Sequence, residues 1–220
     1  MVHIPLAQYE KLKQETTGKA EIIAVSKLRP NEQVLAWYDQ GIRDFAENRL
    51  SGLQSRSGLP DDIRWHFIGH LQRNKVRQTL PYIDVLSSLD SVPLALLLQK
   101  ECARSGRVLP VLAEFHLARS DTAKSGLPAE EALPFFELLF TLPALSPQGI
   151  MVMGPHTDDT DAVRQVFAEG AALYRNLQAH FGKERIRVLS MGMSDDYRIA
   201  LACGANQIRI GSLLFDDSES

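Results

Sequence analysis

The fold class this sequence predicts is α/β: a single domain over residues 1–220 forming a closed parallel (β/α)8 barrel, a TIM barrel. Three observations predict it. Apolar strand-like runs alternate with helix-like stretches along the chain, the strand-like runs number eight, and no linker, low-complexity stretch or helical repeat interrupts them. An open doubly wound sheet is the competing architecture. It should carry Gly-x-Gly-x-x-Gly after its first strand, where this chain has Ser26-Lys27-Leu28-Arg29-Pro30.

The elements follow in order. Residues 22–26 are a continuous apolar run, and Arg29-Pro30 ends it. A helix over 31–40 stops before Gly41, where a left-handed cap is easiest for glycine. Strand 44–46, supported by Ile42, leads to a helix within 49–57, and strand 64–68 to a helix over 72–80. Strand 83–87 is followed by helix 92–105, and strand 108–115 by helix 129–141, whose start carries Pro128 and Glu130-Glu131. Strand 148–152 precedes the clearest helix, 161–181. There Val163, Val166, Phe167, Leu173, Tyr174 and Leu177 form one stripe, behind an acidic segment suited to a helix N-terminus. Strand 186–190, helix 195–203 closed by Gly204, and strand 207–210 complete the eight units.

Composition excludes several classes. The net charge of −3 comes from interspersed charges, with no basic run to track a phosphate backbone, which argues against nucleic acid. Cys102 and Cys203 make no disulfide framework, so a reducing compartment is expected. The first residues lack an apolar signal core, and no segment has the length to span a bilayer. A cytoplasmic protein without membrane contact is the expectation, and the lack of a long exposed apolar seam predicts a monomer.

In a parallel barrel, function gathers where the strands end. Those ends carry Lys27; Glu47-Asn48-Arg49; His66, Gly69 and His70; Ser87-Ser88; His116; Met153-Gly154; Gly192 and Ser194; and Arg209, Gly211 and Ser212. Lys27 either snorkels from a strand end or supplies a nucleophilic amine, which burial would favour by lowering its pKa. The loops Ser190–Asp196 and Arg209–Ser212 follow strands seven and eight, where barrels often hold phosphate. Gly192 and Gly211 let backbone N–H groups approach an anion. Ser194 adds a hydroxyl or merely caps the next helix, while Asp195 and Asp196 would repel a phosphate unless they point away. An amine and a phosphate cradle at one mouth fit a ligand with both an aldehyde and a phosphate, and pyridoxal 5′-phosphate is the obvious one. Arg209 could then face the pyridine nitrogen and disfavour its protonation, leaving a poor electron sink; an ordinary ion pair is the alternative. The spacing and context of His66 and His70 do not suit a metal, so none is expected.

Six motifs then occur in order: Ala24-Val25-Ser26-Lys27, Phe45-Ala46-Glu47-Asn48-Arg49, Trp65-His66-Phe67-Ile68-Gly69-His70-Leu71-Gln72-Arg73-Asn74-Lys75, Lys124-Ser125-Gly126, Ser190-Met191-Gly192-Met193-Ser194 and Arg209-Ile210-Gly211. With these the chain resembles the pyridoxal phosphate homeostasis proteins, relatives of the alanine racemase N-terminal barrel. The resemblance implies an aldimine on Lys27, phosphate held by Ser194, Gly211 and Ser212, Arg209 at the ring nitrogen, and Asn48 and His66 lining the pocket. It also implies intracellular buffering or delivery of the cofactor, with apo enzymes as recipients and no catalytic residue. The rival is a weak amino-acid racemase, which needs a second base from His66, His116 or Tyr197, since these residues carry no second domain to supply one. A Schiff-base aldolase acting on a sugar phosphate is a further rival. Ala46, His116 and Asp216 depart from the family pattern.

Overall fold

Successive side chains of a strand point to opposite faces, so a sheet that closes on itself sorts its residues into a lumen and an outer layer. Eight strands do so here: β1 (Glu21–Val25), β2 (Asp44–Glu47), β3 (Arg64–Phe67), β4 (Val85–Leu89), β5 (Leu109–Phe115), β6 (Leu145–Val152), β7 (Val188–Met191) and β8 (Gln207–Ile210). They run parallel in chain order, and β8 returns to pair with β1, closing the barrel as expected. The structure is a computed structural model that describes residues 4–118 and 125–216. Lys124 of the quoted motif and the last four residues of the acidic tail lie outside them.

Helices α1 (Leu6–Thr16), α2 (Asn31–Asp39), α3 (Leu50–Gln54), α4 (Val76–Thr79), α5 (Val92–Arg104), α6 (Ala132–Leu139), α7 (Thr160–Phe181), α8 (Tyr197–Ala202) and α9 (Ser212–Phe215) surround the strands. Outward residues such as Phe45, Phe67, Ile150 and Ile208 join Trp37, Leu98, Phe136 and Phe167 in one core between sheet and helices. Each such side chain contributes about 1.5–3 kcal/mol when buried. A separate apolar cluster of Ile23, Val25 and Ala46, with Ile68 against it, lies on the other face of the sheet. Leu112 and Met151 also lie outside the outer core, but much of the rest of the lumen is polar. His66, Glu114, Ser190 and Arg209 are buried, and each is flanked in sequence by outer-core neighbours. Stability alone gives no reason to fill a lumen with charge.

Several boundaries differ from the sequence expectation, each for a physical reason. Strand β4 starts two residues later than expected, after a short helical turn over Leu80–Tyr82, and its register with β5 shifts between Leu86 and Leu89. Strand β6 begins three residues earlier and runs through Pro147, which sits where the β5–β6 register also shifts; a bulge tolerates proline's missing N–H. Helix α7 starts as expected in an acidic segment, with the Asp159 side chain accepting from the N–H groups of Asp161 and Ala162 at 3.0 and 3.2 Å. Helices α1 and α9 have no counterpart in the sequence reading. The first shows only Tyr9, Leu12 and Thr16 as a short buried stripe, and the second is a single turn.

Candidate functional site

The C-terminal ends of β1, β2, β7 and β8 build one side of the barrel mouth. Lys27 follows β1 by two residues. Ile23 and Val25 belong to the lumen cluster, and beyond the strand's end Lys27 stands in the turn at the rim. It is solvent-exposed, not buried as a desolvated amine would be, because the chain turns away there: Arg29 N–H donates to Ser26 O at 3.0 Å. Leu28 completes that turn with φ +63°, a left-handed conformation costing a leucine about 1–2 kcal/mol. Its side chain is 91% exposed, so no packing of its own offsets the cost.

A buried polar network underlies this turn. Arg56 donates to Ser26 O (2.7 Å), Arg29 O (2.8 Å) and Asn31 Oδ1 (2.8 Å), and pairs with Glu47 Oε1 at 2.5 Å. Ser26 Oγ donates to the same Glu47 oxygen at 2.9 Å. Gly52 makes room for that carboxylate, since a methyl there would fall 2.3 Å from Glu47 Oε2. Next along β2, Asn48 is half-buried. Gly69 packs directly on its backbone, where an added Cβ would lie 2.2 Å from Asn48 O.

The loops after β7 and β8 meet each other. Ser194 Oγ accepts from the N–H groups of Gly211 (3.2 Å) and Leu213 (3.4 Å), so it bridges the two loops and does not cap α8. Gly192, at φ +95°, lies under α8, where a Cβ would sit 2.6 Å from that of Ala200. Gly211 has a negative φ of −113°, and a Cβ on it would touch Val25 O at 3.6 Å. That contact sets the loop beside the end of β1. Ser212 is exposed at the start of α9. Of the two acids that follow Ser194, Asp195 is exposed, while Asp196 Oδ1 accepts from Met193 N–H at 2.6 Å and is pushed toward its neutral form by burial.

Arg209 lies within β8, facing the lumen, and donates to Ser190 Oγ (2.9 Å) and Val152 O (3.1 Å). Among the described residues no carboxylate stands within ion-pair distance of it, so the ordinary ion pair is not what holds it. Burial pushes its pKa down to about 10, partly offset by Asp196 and Glu114, so the cation persists at neutral pH. Glu114 on β5 is held at about 7 by burial and then by Asp90, and Ser125 Oγ reaches it at 3.3 Å. Sequence reasoning missed Glu114 and Arg56. The signal for Glu114 was an acid in an apolar strand at a lumen position; Arg56 lies beyond α3 with no local signal, and only the tertiary fold brings it under β1.

His66 departs from its expected place. Its Nε2 meets Asp44 Oδ1 at 2.9 Å, and the pair lines a cavity of about 770 Å³ at the N-terminal ends of the strands, with Glu21, Arg64 and Gln207. The ring therefore reaches toward the opposite end from the mouth, because Asp44, two residues below Ala46 on β2, offers the nearest acceptor. His70 instead pairs with Asp90 at 2.6 Å, so the two histidines do not share a site. The three departures are accommodated. Ala46 packs in the lumen cluster, His116 N–H bonds Leu127 O at 3.0 Å, and Asp216 pairs with Arg29, tying α9 to the Lys27 turn.

Fold and mouth together define a barrel of the alanine racemase N-terminal class, and residues 6–219 match that domain. More narrowly, the chain belongs to the family of pyridoxal phosphate homeostasis proteins. It is 37% identical to that protein of Helicobacter pylori (strain 26695), over 90% of this chain and 87% of the relative. With that of Aquifex aeolicus it shares 34% identity, over 90% and 87% of the two chains. Among solved structures, PipY of Synechococcus elongatus with pyridoxal phosphate bound superposes with a TM-score of 0.86 at 30% identity, covering 95% of this chain and 98% of that one. No helix among the described residues is long and apolar enough to cross a membrane.

Proposed function

We propose that this protein holds pyridoxal 5′-phosphate at the C-terminal mouth of the barrel, linked through Lys27, and serves the intracellular balance of that cofactor without turning over a substrate. One observation carries the reading: the amine-bearing turn after β1 and the N–H-rich loop after β8 end adjacent, hydrogen-bonded strands, with Gly211 against Val25. The donor set fits the cofactor. The N–H groups of Gly211 and Leu213 converge on Ser194 Oγ, gathering polar groups of both loops at one point that suits a phosphate, and a buried Arg209 that stays charged at neutral pH suits an unprotonated ring nitrogen. Asn48 and Ser212 line the rim, and His66, reaching toward Asp44, stands outside this set. When bound, the cofactor would supply an aldehyde carbon, and Lys27 Nζ is the amine that would hold it. PipY carries the same ligand in a closely similar barrel.

The carrier reading is favoured over racemisation by where the candidate second bases stand. Tyr197 OH donates to Glu15 at 2.8 Å among the outer helices, and its pKa is pushed up to about 12 by burial and that acid. His66 is engaged by Asp44. That leaves His116 alone of the three.

Titrating the protein with pyridoxal phosphate tests this directly. Near-visible absorbance should rise in the wild type and be lost in Lys27→Ala; an unchanged rise in that variant would contradict the proposed linkage. α-Proton exchange of amino acids in deuterated water separates carrier from enzyme. Exchange no faster than with free cofactor is expected, and clear turnover above it would favour the racemase.

A further inference from the structure

We propose that Arg56 is a positioning residue for Lys27, holding the amine where it can meet the cofactor's aldehyde. The inference rests on the reading of Lys27 as the condensing amine. It stands on the geometry of one guanidinium: Arg56 donates to the carbonyls of both Ser26 and Arg29, the residues that bracket Lys27-Leu28. Its remaining contacts, to Asn31 Oδ1 and Glu47 Oε1, fix the guanidinium against α2 and β2, and both members of the Arg56–Glu47 pair are nearly fully buried.

Two features argue that the clamp sets a position and does not merely add stability. A buried ion pair is often no more stabilising than apolar side chains of the same volume, so retaining one is better explained by the geometry it enforces. The geometry enforced here is unfavourable on its own account: Leu28 is left-handed and projects into solvent. A turn left free would relax it, and Lys27 would turn with it. Strain held in place by surrounding contacts, next to a reacting group, is the pattern expected of preorganisation.

The test compares imine formation in the apo forms of wild type, Arg56→Gln, Arg56→Lys and Ser194→Ala, each with pyridoxal phosphate and with pyridoxal, which lacks the phosphate. The rate of near-visible absorbance rise is the readout, and melting curves confirm that each variant is folded. Both Arg56 variants should form the linkage up to about a hundredfold more slowly with either aldehyde, the scale on which misplacing a reacting group acts. Ser194→Ala should be slowed or weakened with pyridoxal phosphate alone. If Arg56→Gln does not fold, Arg56→Lys decides: it keeps the charge opposite Glu47, but a single ammonium lacks the fork that spans both carbonyls. A folded Arg56 variant that reacts with pyridoxal at the wild-type rate overturns the proposal, as does one slowed only with the phosphate ester. Failure of the underlying reading is separate, since the wild type would then gain no absorbance dependent on Lys27.

Discussion

At the scale of single residues, Glu114 is the group whose environment has the clearest consequence. Burial and the nearby Asp90 raise its pKa from 4.5 to about 7, so the folded protein holds a proton there that the unfolded chain releases. The stabilising protonation is fully present below the unfolded value and is lost as pH rises through 7. Wild-type stability should therefore fall by up to about 3 kcal/mol between pH 4.5 and 8 from this residue. Glu114→Gln cannot titrate. Its melting temperature relative to wild type should climb across that interval, and a constant offset between pH 5 and pH 8 would show that the carboxyl titrates normally. Arg209, the buried cation nearby, keeps its charge throughout, with its hydroxyl and carbonyl acceptors in place of an ion pair.

At the scale of elements, the mouth is shaped by close approaches between loops. Gly69 lies on the backbone of Asn48, where a Cβ would come within 2.2 Å of a carbonyl oxygen that has no side-chain freedom to yield. Gly69→Ala should cost about 1–3 kcal/mol in urea unfolding, and it should weaken pyridoxal phosphate binding by shifting Asn48. An unaltered unfolding midpoint would mean that the contact is looser than the structure has it. The strand–helix alternation was legible because the outer face of each strand is apolar. What escaped was geometry that has no local pattern: the β4–β5 and β5–β6 register shifts, proline inside β6, and the one-turn α9.

At the scale of the whole molecule, closure brings the first strand beside the last, and so the Lys27 turn beside the loop after β8. The sequence allowed that juxtaposition to be foreseen, because Lys27, Ser194, Arg209, Gly211 and Ser212 all follow or end strands in a barrel whose order was clear. Asn48 likewise stands just past the end of β2. His66 was not foreseen in this way, since a strand-end position cannot reveal that a ring will reach down to Asp44. Arg56 was illegible for a related reason, since its role depends on partners on other elements at sequence distances with no fixed spacing, whereas Glu114 showed itself only as an acid in an apolar strand. The most direct measurement is to reduce the protein–pyridoxal phosphate complex with borohydride and map the pyridoxyl mass by peptide analysis. The account predicts the label on the peptide containing Lys27, and a label on Lys75 or another lysine instead would contradict it.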